Sequence, residues 1–353
     1  AMLGSMTLDQ EVTGSYHQTF GGLAQRHNEG DDELLQTRTK ERAWNRAGGP
    51  IGSVNRYGQI MIVVLPLALF RFWDERSLKL RALAAAATLL ILSGVLLTYS
   101  RSSFLTLLFL LVIMTLMRYI RLHQVLITAA VFIIMITFAA PNYLMRMESL
   151  RGVQGLFSKK TSARPDAITL GRVTEMLAAL NVFLDYPILG VGPGQYTKYY
   201  SVEYMNDPDI ALRRIAKNRR AHTLYFELAA ETGLIGIISF MAIVLTLMYQ
   251  LWQARRRWLQ SRPDMANMAT AFLLSITAYL STGVFAHFSY QRYYWLLLAL
   301  AGAAIQIFRS ETSDNEAPRQ VSLEKTNMIN QPSHSNCFES AIKISSDAKV
   351  KRS

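Results

Sequence analysis

Long apolar blocks alternate with short basic segments along most of this chain. The blocks are apolar on all sides rather than along one stripe, which is typical of helices surrounded by lipid or by other apolar helices. Seven blocks predict membrane-spanning helices, at residues 57–73, 82–99, 104–117, 125–140, 234–252, 268–287 and 293–308. Several are shorter than the roughly 20 residues that cross a bilayer, so we expect flanking residues to complete them.

The connectors between the blocks predict the orientation of the chain. Basic segments lie at 74–81, 118–124 and 254–264, and they share one side of the membrane if every block crosses once. Basic loops are retained on the cytoplasmic side. The opposite, outward side then carries Arg101 and the long polar loop 142–222.

Both ends of the chain differ in composition from this apolar region. Residues 1–50 contain EGDDE and RTKER runs without an apolar period, which predicts an irregular polar segment facing outward. An outward N-terminus without a signal sequence leaves two alternatives, a segment that crosses the membrane as an N-out tail or further spans before residue 1, and we favour the second. Residues 309–353 are rich in Ser, Asn, Glu and Lys and predict a disordered cytoplasmic tail. The membrane domain is therefore assigned to residues 51–308.

Composition narrows the possible partners. The 353 residues are 51% hydrophobic and carry a formal charge of +12, with a mean hydropathy of +0.16. The charge lies beside apolar blocks and accompanies no nucleic-acid recognition motif, so we predict a lipid bilayer and no nucleic acid as partner. Cys337 is the only cysteine, and the histidines show no metal-ligand spacing. The sequence therefore predicts no intrachain disulfide and no metal site. We also expect no cofactor.

The stretch from Arg172 to Gly236 contains most of the candidate chemistry. Arg172 opens a stretch with apolar residues at helical spacing, which stops at Pro187 and is followed by the glycine-rich turn ILGVGPG. One interpretation of this turn is a corner between two helices. The other is an anion-binding nest, in which the backbone amides of Gly192 and Gly194 approach a phosphate.

His222 follows two arginines, Arg219 and Arg220, which are candidates for binding an anionic substrate. Nearby positive charges disfavour a protonated imidazole, so we expect His222 to be a neutral base. The alternative is a structural role at the membrane interface. His287 faces the same side and is a second binding candidate.

Arg101 lies in the turn LTYSRSSF, at the outward end of two predicted spans. It could be an arginine whose stem lies along apolar surface while its charge reaches water. A charge at bilayer depth costs about 2.5–3.5 kcal/mol, however, so a retained arginine indicates a functional role.

Several of these motifs together resemble one family. The segments RSSFL, GRVTEML, DYPILGVGPGQY and AHTLYFELAAETGLIG are similar to those of the O-antigen ligase and O-antigen polymerase superfamily. The segment GGPIGSVNRYG resembles a glycine-asparagine motif of the same family. The resemblance covers roughly residues 46–308. Members commonly carry Asn after the histidine, where this chain has Thr223.

The resemblance implies an all-α polytopic protein of the bacterial inner membrane, a GT-C-type helical bundle with a long periplasmic loop. Its members have more spans than the seven predicted here, which again implies missing N-terminal spans. The implied activity is that of a metal-independent, inverting glycosyltransferase. The donor is a glycan on undecaprenyl pyrophosphate, and the acceptor is lipid A-core or a growing glycan. By motif, Arg101 and Arg172 would bind the pyrophosphate, and His222 would act at the acceptor hydroxyl.

Three alternatives stay open at this point. The sequence does not separate ligation to lipid A-core from polymerisation of repeat units. A transporter of a small anionic solute would use the basic loop as a gate, although the spans carry few central charges and show no repeated halves. A non-enzymatic protein of envelope assembly is the third class.

Overall fold

The computed structural model describes residues 2–14, 48–51, 53–121, 167–204, 219–286 and 292–330. All regular elements of these residues are helical, which confirms the predicted all-α fold. The α-helices are α1 (Met2–Thr13), α2 (Val54–Asp74), α3 (Leu78–Leu97), α4 (Arg101–Leu116), α5 (Ala167–Asp185), α6 (Tyr196–Tyr199), α7 (Leu224–Trp258), α8 (Pro263–Gly283) and α9 (Arg292–Asn330). A 3₁₀ turn spans Gly49–Ile51, and a π-helical turn spans Tyr200–Tyr204.

Among the described residues, the three helices α2, α3 and α7 are long and apolar enough to cross a membrane, and α4 is a shorter apolar helix. Each coincides with one of the predicted spans. The predicted spans 268–287 and 293–308 correspond to α8 and α9, which are helical but do not belong to that group of three. The predicted span 125–140 lies outside the described residues. The chain is thus an all-α membrane protein.

The bundle is built around α2 and α8. Helix α2 packs against α3 and α8, and α8 also packs against α7 and α4. Side-chain hydrogen bonds join these helices at one end: the buried Gln59 donates from Nε2 to Thr282 Oγ1 over 2.8 Å and accepts at Oε1 from the hydroxyl of Tyr293. Buried polar groups lose water on folding, so an alignment of the helices that broke these bonds would be costly. The bonds therefore fix how α2, α8 and the start of α9 align.

Replacing Gln59 by Leu should destabilise the bundle. The change removes both bonds and leaves the hydroxyls of Thr282 and Tyr293 without this partner, at a cost of about 1–3 kcal/mol each. The midpoint of thermal denaturation in detergent measures the effect. Ser239→Ala is the control, because its exposed hydroxyl bonds only within α7. Equal midpoints for the two variants would contradict the prediction.

The N-terminal segment differs from the prediction of an irregular region. Residues Met2–Thr13 form α1, which packs against α3. Tyr57 of α2 donates its hydroxyl to Leu3 O over 2.7 Å and lies 3.2 Å from Thr7 Oγ1. The prediction was wrong here because tertiary contacts, rather than an apolar period, stabilise this helix. Residues 15–47 lie outside the described residues.

The predicted disordered tail also differs in part. Helix α9 continues to Asn330, so residues 309–330 are helical rather than disordered. Glu, Gln, Lys and Arg favour helix intrinsically, and these residues extend a helix that is already nucleated. Residues 331–353 lie outside the described residues.

Candidate functional site

A small core forms where α5, α6 and the first turns of α7 meet. Its members are small or aromatic and come from these elements, from the π-helical turn and from the residues just before α7: Ala178, Ala179, Val182, Tyr196, Tyr200, Tyr204, Ala221 and Ala230. Alanines let the helices approach closely, and the tyrosines fill the space between them. The part of the predicted loop 142–222 that the structure describes is therefore packed against α7.

A break in α7 joins this core to the membrane bundle. Gly233 has φ 62° and ψ −163° inside the helix. The helical hydrogen-bond pattern is interrupted there, and the glycine-rich turn occupies the gap. Val191 and Gly192 donate their N–H groups to Ala230 O (3.0 Å) and Glu231 O (2.9 Å). Backbone groups that the break would leave unsatisfied are thus paired.

At Gly192 the turn therefore forms a corner between two helices, which was the first of the two interpretations. Its N–H already has an acceptor in α7, so this amide does not supply the predicted anion-binding nest. A Cβ on Gly190 would lie 2.4 Å from the backbone of Glu231, so this position also requires glycine. Gly194 differs: it is exposed at the tip of the turn, with nothing within 4 Å of a Cβ.

The most distinctive charged group is a buried carboxylate that faces two basic side chains. Glu175 of α5 lies with Oε2 3.1 Å from His222 Nε2 and Oε1 3.3 Å from Arg219 Nε. The distances are those of ion pairs, but neither contact has hydrogen-bond geometry. Burial strengthens the electrostatic interaction, because little water screens it.

The Glu175 carboxylate determines which ring nitrogen of His222 carries the proton. A negative charge beside Nε2 favours a proton on that nitrogen. In a neutral imidazole with Nε2 protonated, Nδ1 carries the lone pair and is the nitrogen that can accept a proton. The sequence-based expectation considered only the neighbouring arginines and missed this carboxylate.

Two further buried carboxylates lie on the first turns of α7. Glu227 pairs with Arg220, with 3.5 Å between Oε1 and the guanidinium. Glu231 accepts a hydrogen bond at Oε1 from the N–H of Tyr196 over 3.3 Å. The predicted binding residues Arg219 and Arg220 therefore each face a buried carboxylate of this protein.

Tyr196 locks α6 onto α5. Its side chain is fully buried, and its hydroxyl donates to Glu175 O over 2.7 Å. Burial, reinforced by the negative charge of Glu175, raises the pKa of Tyr196 well above its usual value. The hydroxyl thus stays protonated and keeps donating, which holds the backbone of Glu175 in place.

The backbone at His222 is unusual. Its φ is 52°, in the left-handed region, and the next residue, Thr223, is extended and precedes α7. A non-glycine residue costs on the order of 1–2 kcal/mol in this region. Such strain is concentrated at functional sites, where the surrounding structure maintains it. Here it directs His222 toward Glu175 at the entrance of α7.

The other predicted residues have different positions. Arg172 lies three residues before Glu175, so both project from the same side of α5. Arg101 begins α4 beside Ser100, whose hydroxyl lies 3.3 Å from Asn55 Oδ1 at the start of α2. His287 lies outside the described residues. Within the described ranges, no group of three or more His, Cys, Asp or Glu is placed to hold a metal ion.

Glu175 is the main residue that the sequence-based interpretation missed. The available signal was a carboxylate at the centre of GRVTEML, one helical turn after Arg172 in an otherwise apolar helix. A buried charge in such a stretch requires a compensating partner. That partner, His222, lies 47 residues later, so sequence spacing alone does not show the pair.

Replacing Glu175 by Gln should impair positioning at the site. The amide keeps the size of the side chain but removes the charge between His222 and Arg219. Partners that orient metal-binding histidines contribute about 10–100-fold to activity, and we expect an effect of that order for a partner that orients His222. We expect kcat to fall while KM for the donor that the family resemblance implies changes little, because the arginines remain. A rise in KM with unchanged kcat would contradict this role.

A family comparison covers the same region. Residues 86–241 match the family model described as O-antigen ligase. The matched range contains Arg101, Arg172, Glu175, both loop arginines and His222, whereas the GGPIGSVNRYG segment and His287 lie outside it. A search of curated proteins found no match. Residues 86–241, which include part of the membrane helices and most of the candidate site, are thus similar to the O-antigen ligase family.

Proposed function

We propose that this protein transfers a glycan from undecaprenyl pyrophosphate to a hydroxyl of an acceptor sugar. The observation that supports this most directly is the pairing of His222 with Glu175 beside Arg219, on a helix that also presents Arg172. A candidate base and a set of cations are thus held at one end of a membrane bundle. The family match independently supports ligase- or polymerase-type glycan transfer.

The polarity of the bundle supports a periplasmic site. Asn267 of α8 donates to Asp74 at the end of α2 over 2.5 Å, which joins the ends that carry the basic connectors. The contact between Gln59 and Thr282 joins the opposite ends. A Cβ on Gly283 would lie 2.8 Å from the Leu224 side chain, so His222, two residues earlier, lies at that opposite end. By the positive-inside rule, this end faces away from the cytoplasm.

The chemistry is a single displacement at the anomeric carbon. The acceptor oxygen forms the new glycosidic bond while the bond from the anomeric carbon to the pyrophosphate oxygen breaks. The configuration therefore inverts. The hydroxyl proton passes to Nδ1 of His222, and the Glu175 carboxylate stabilises the imidazolium that results. Undecaprenyl pyrophosphate leaves with its negative charge.

The arginines act on the leaving group. A lipid pyrophosphate needs little help to depart beyond fixed cations near its developing charge. Guanidinium groups bind phosphate oxygens in a bidentate manner. We assign this role to Arg172 and Arg101. Arg219 and Arg220 then contribute positive potential while paired with Glu175 and Glu227. Gly194, which is exposed at the tip of the turn, and His287, which lies outside the described residues, are also proposed to contact the substrate.

Transfer assays test the assignment. The purified chain in proteoliposomes, with EDTA present, receives undecaprenyl-linked glycan and either lipid A-core or a second lipid-linked glycan. Arg172→Gln should raise KM for the donor and lower turnover, because a phosphate contact is lost. Lys198→Gln is the control, since this exposed residue of α6 has no assigned role. Product on lipid A-core indicates a ligase, and chain growth on the second glycan indicates a polymerase.

Three results of this assay would contradict parts of the proposal. Turnover of Arg172→Gln equal to wild type would remove Arg172 from the site. Activity that requires a divalent cation would contradict the metal-independent mechanism. Substrate flux into liposomes without any glycan transfer would favour the transporter alternative.

A further inference from the structure

The end of α5 and the corner that follows it carry an unusual amount of exposed apolar surface. Within six residues, the large side chains of Leu184, Tyr186, Ile188 and Leu189 are all exposed, with Leu189 at 71% and Ile188 at 65%. Polar and small residues dominate ordinary surface turns. A contiguous exposed patch of this kind marks a contact surface for a protein or a membrane.

Backbone hydrogen bonds join this patch to the start of the apolar part of α7. Leu234 donates its N–H to Pro187 O over 2.8 Å, and Ile235 donates to Ile188 O over 3.4 Å. Both acceptors belong to the corner, and both donors begin the stretch that follows the break at Gly233. The corner is therefore fixed against one particular turn of the helix.

That turn of α7 begins a face that is exposed along a membrane-spanning helix. Leu234, Ile235 and Ile238 are all more than half exposed, and the exposure continues on the same side at Leu245 and Tyr249. In a candidate span, such a face is the one that contacts lipid. The patch on the corner thus continues the lipid-facing surface of α7 rather than standing alone.

We propose that residues 184–189 insert into the membrane leaflet on the side of the candidate site. The exposed side chains then contact lipid at the boundary between acyl chains and headgroups. Ile188 and Leu189 would reach the acyl region, while Tyr186 suits the interface because its ring is apolar and its hydroxyl is polar. Asp185, which accepts a hydrogen bond from Tyr204, stays on the polar side.

The insertion defines the depth of the site. The corner ends α5, the helix that carries Glu175 and Arg172, and its close packing against Gly233 leaves no room for a side chain there. Holding this corner in the leaflet therefore holds the candidate site at the membrane surface. The inference rests on exposure and backbone contacts, and not on the reaction proposed above.

Site-directed spin labelling tests the insertion. Cys337 is the only cysteine, so Cys337→Ser provides a cysteine-free background. Nitroxide labels are placed by Leu189→Cys on the corner, by Leu245→Cys on the exposed face of α7, and by Lys198→Cys on exposed α6. Relaxation by oxygen, which concentrates in the bilayer, is compared with relaxation by a water-soluble nickel chelate in proteoliposomes.

The label at position 189 should favour oxygen over the nickel chelate by several-fold, as at position 245, whereas position 198 should show the reverse. Ile188→Cys repeats the measurement at a second exposed position. A label at 189 that matches 198 would overturn the proposal. Dipolar broadening that disappears on dilution with unlabelled chains would also overturn it, because a second copy would then cover the patch. Neither readout depends on glycan transfer.

Discussion

Removal of the imidazole at position 222 is expected to reduce the turnover number by about 10²–10⁴-fold, the usual contribution of a general base. The best variant is His222→Asn. Asn tolerates the left-handed backbone found here, φ 52°, so the fold at the entrance of α7 is preserved. An amide does not accept a proton as an imidazole does, and the acceptor hydroxyl then lacks its base.

The His222 variants should separate donor binding, measured by KM, from the chemical step, measured by the turnover number. KM for the lipid-linked donor should stay within a few-fold of wild type, because the arginines that bind the pyrophosphate are unchanged. Added imidazole should restore part of the turnover of His222→Ala, whose smaller side chain leaves room for it. Wild-type turnover in a folded His222→Asn protein would remove this residue from the mechanism.

A side chain at Gly233 is the second change for which we expect a large effect. Its φ of 62° with ψ −163° is essentially accessible to glycine alone. An added Cβ would also lie 2.3 Å from Ile188 O and 2.6 Å from Leu189 N, both backbone atoms that cannot rotate away. Gly233→Ala should therefore separate the corner from α7. We expect a clear fall in the midpoint of thermal denaturation, with loss of transfer activity.

Two control glycines separate the two expected causes of this destabilisation, the strain of a positive φ and the close backbone contact. Gly194→Ala also has a positive φ, +76°, but nothing lies within 4 Å of its Cβ, so it carries only the backbone strain. Gly302→Ala has neither a positive φ nor a neighbour within 4 Å. The expected order of stability is Gly302→Ala, then Gly194→Ala, then Gly233→Ala. Equal midpoints for the last two would show that the close backbone contact contributes nothing.

The membrane helices could be predicted well because their signal is local. A bilayer requires about 20 apolar residues that satisfy their own backbone hydrogen bonds, and the blocks at 57–73 and 82–99 show this in the sequence. The elements that were wrong lack such a local signal. Helix α1 depends on Tyr57, which is more than 40 residues away from it, and the helical residues 309–330 continue a helix that starts in an apolar block.

The candidate site was predictable in part for the same reason. His222 and the arginines stand out in the sequence as charges beside apolar blocks. Glu175 does not stand out, because its role follows from its contacts with Arg219 and His222, which the sequence does not show. The two interpretations of the glycine-rich turn were likewise equal in sequence, and the hydrogen bond from Gly192 to Glu231 O favours the corner.

Hydrophobic periodicity and short motifs already indicate an all-helical membrane protein that resembles the O-antigen ligase family, because both are properties of contiguous residues. Which charged residues act together depends on contacts between segments that are distant in the sequence. Residues 175, 219 and 222 meet because α5 folds back onto the broken start of α7, and that fold depends on two glycines, Gly190 and Gly233, whose backbones must touch another segment. Contacts between distant segments follow from packing, which no local pattern specifies.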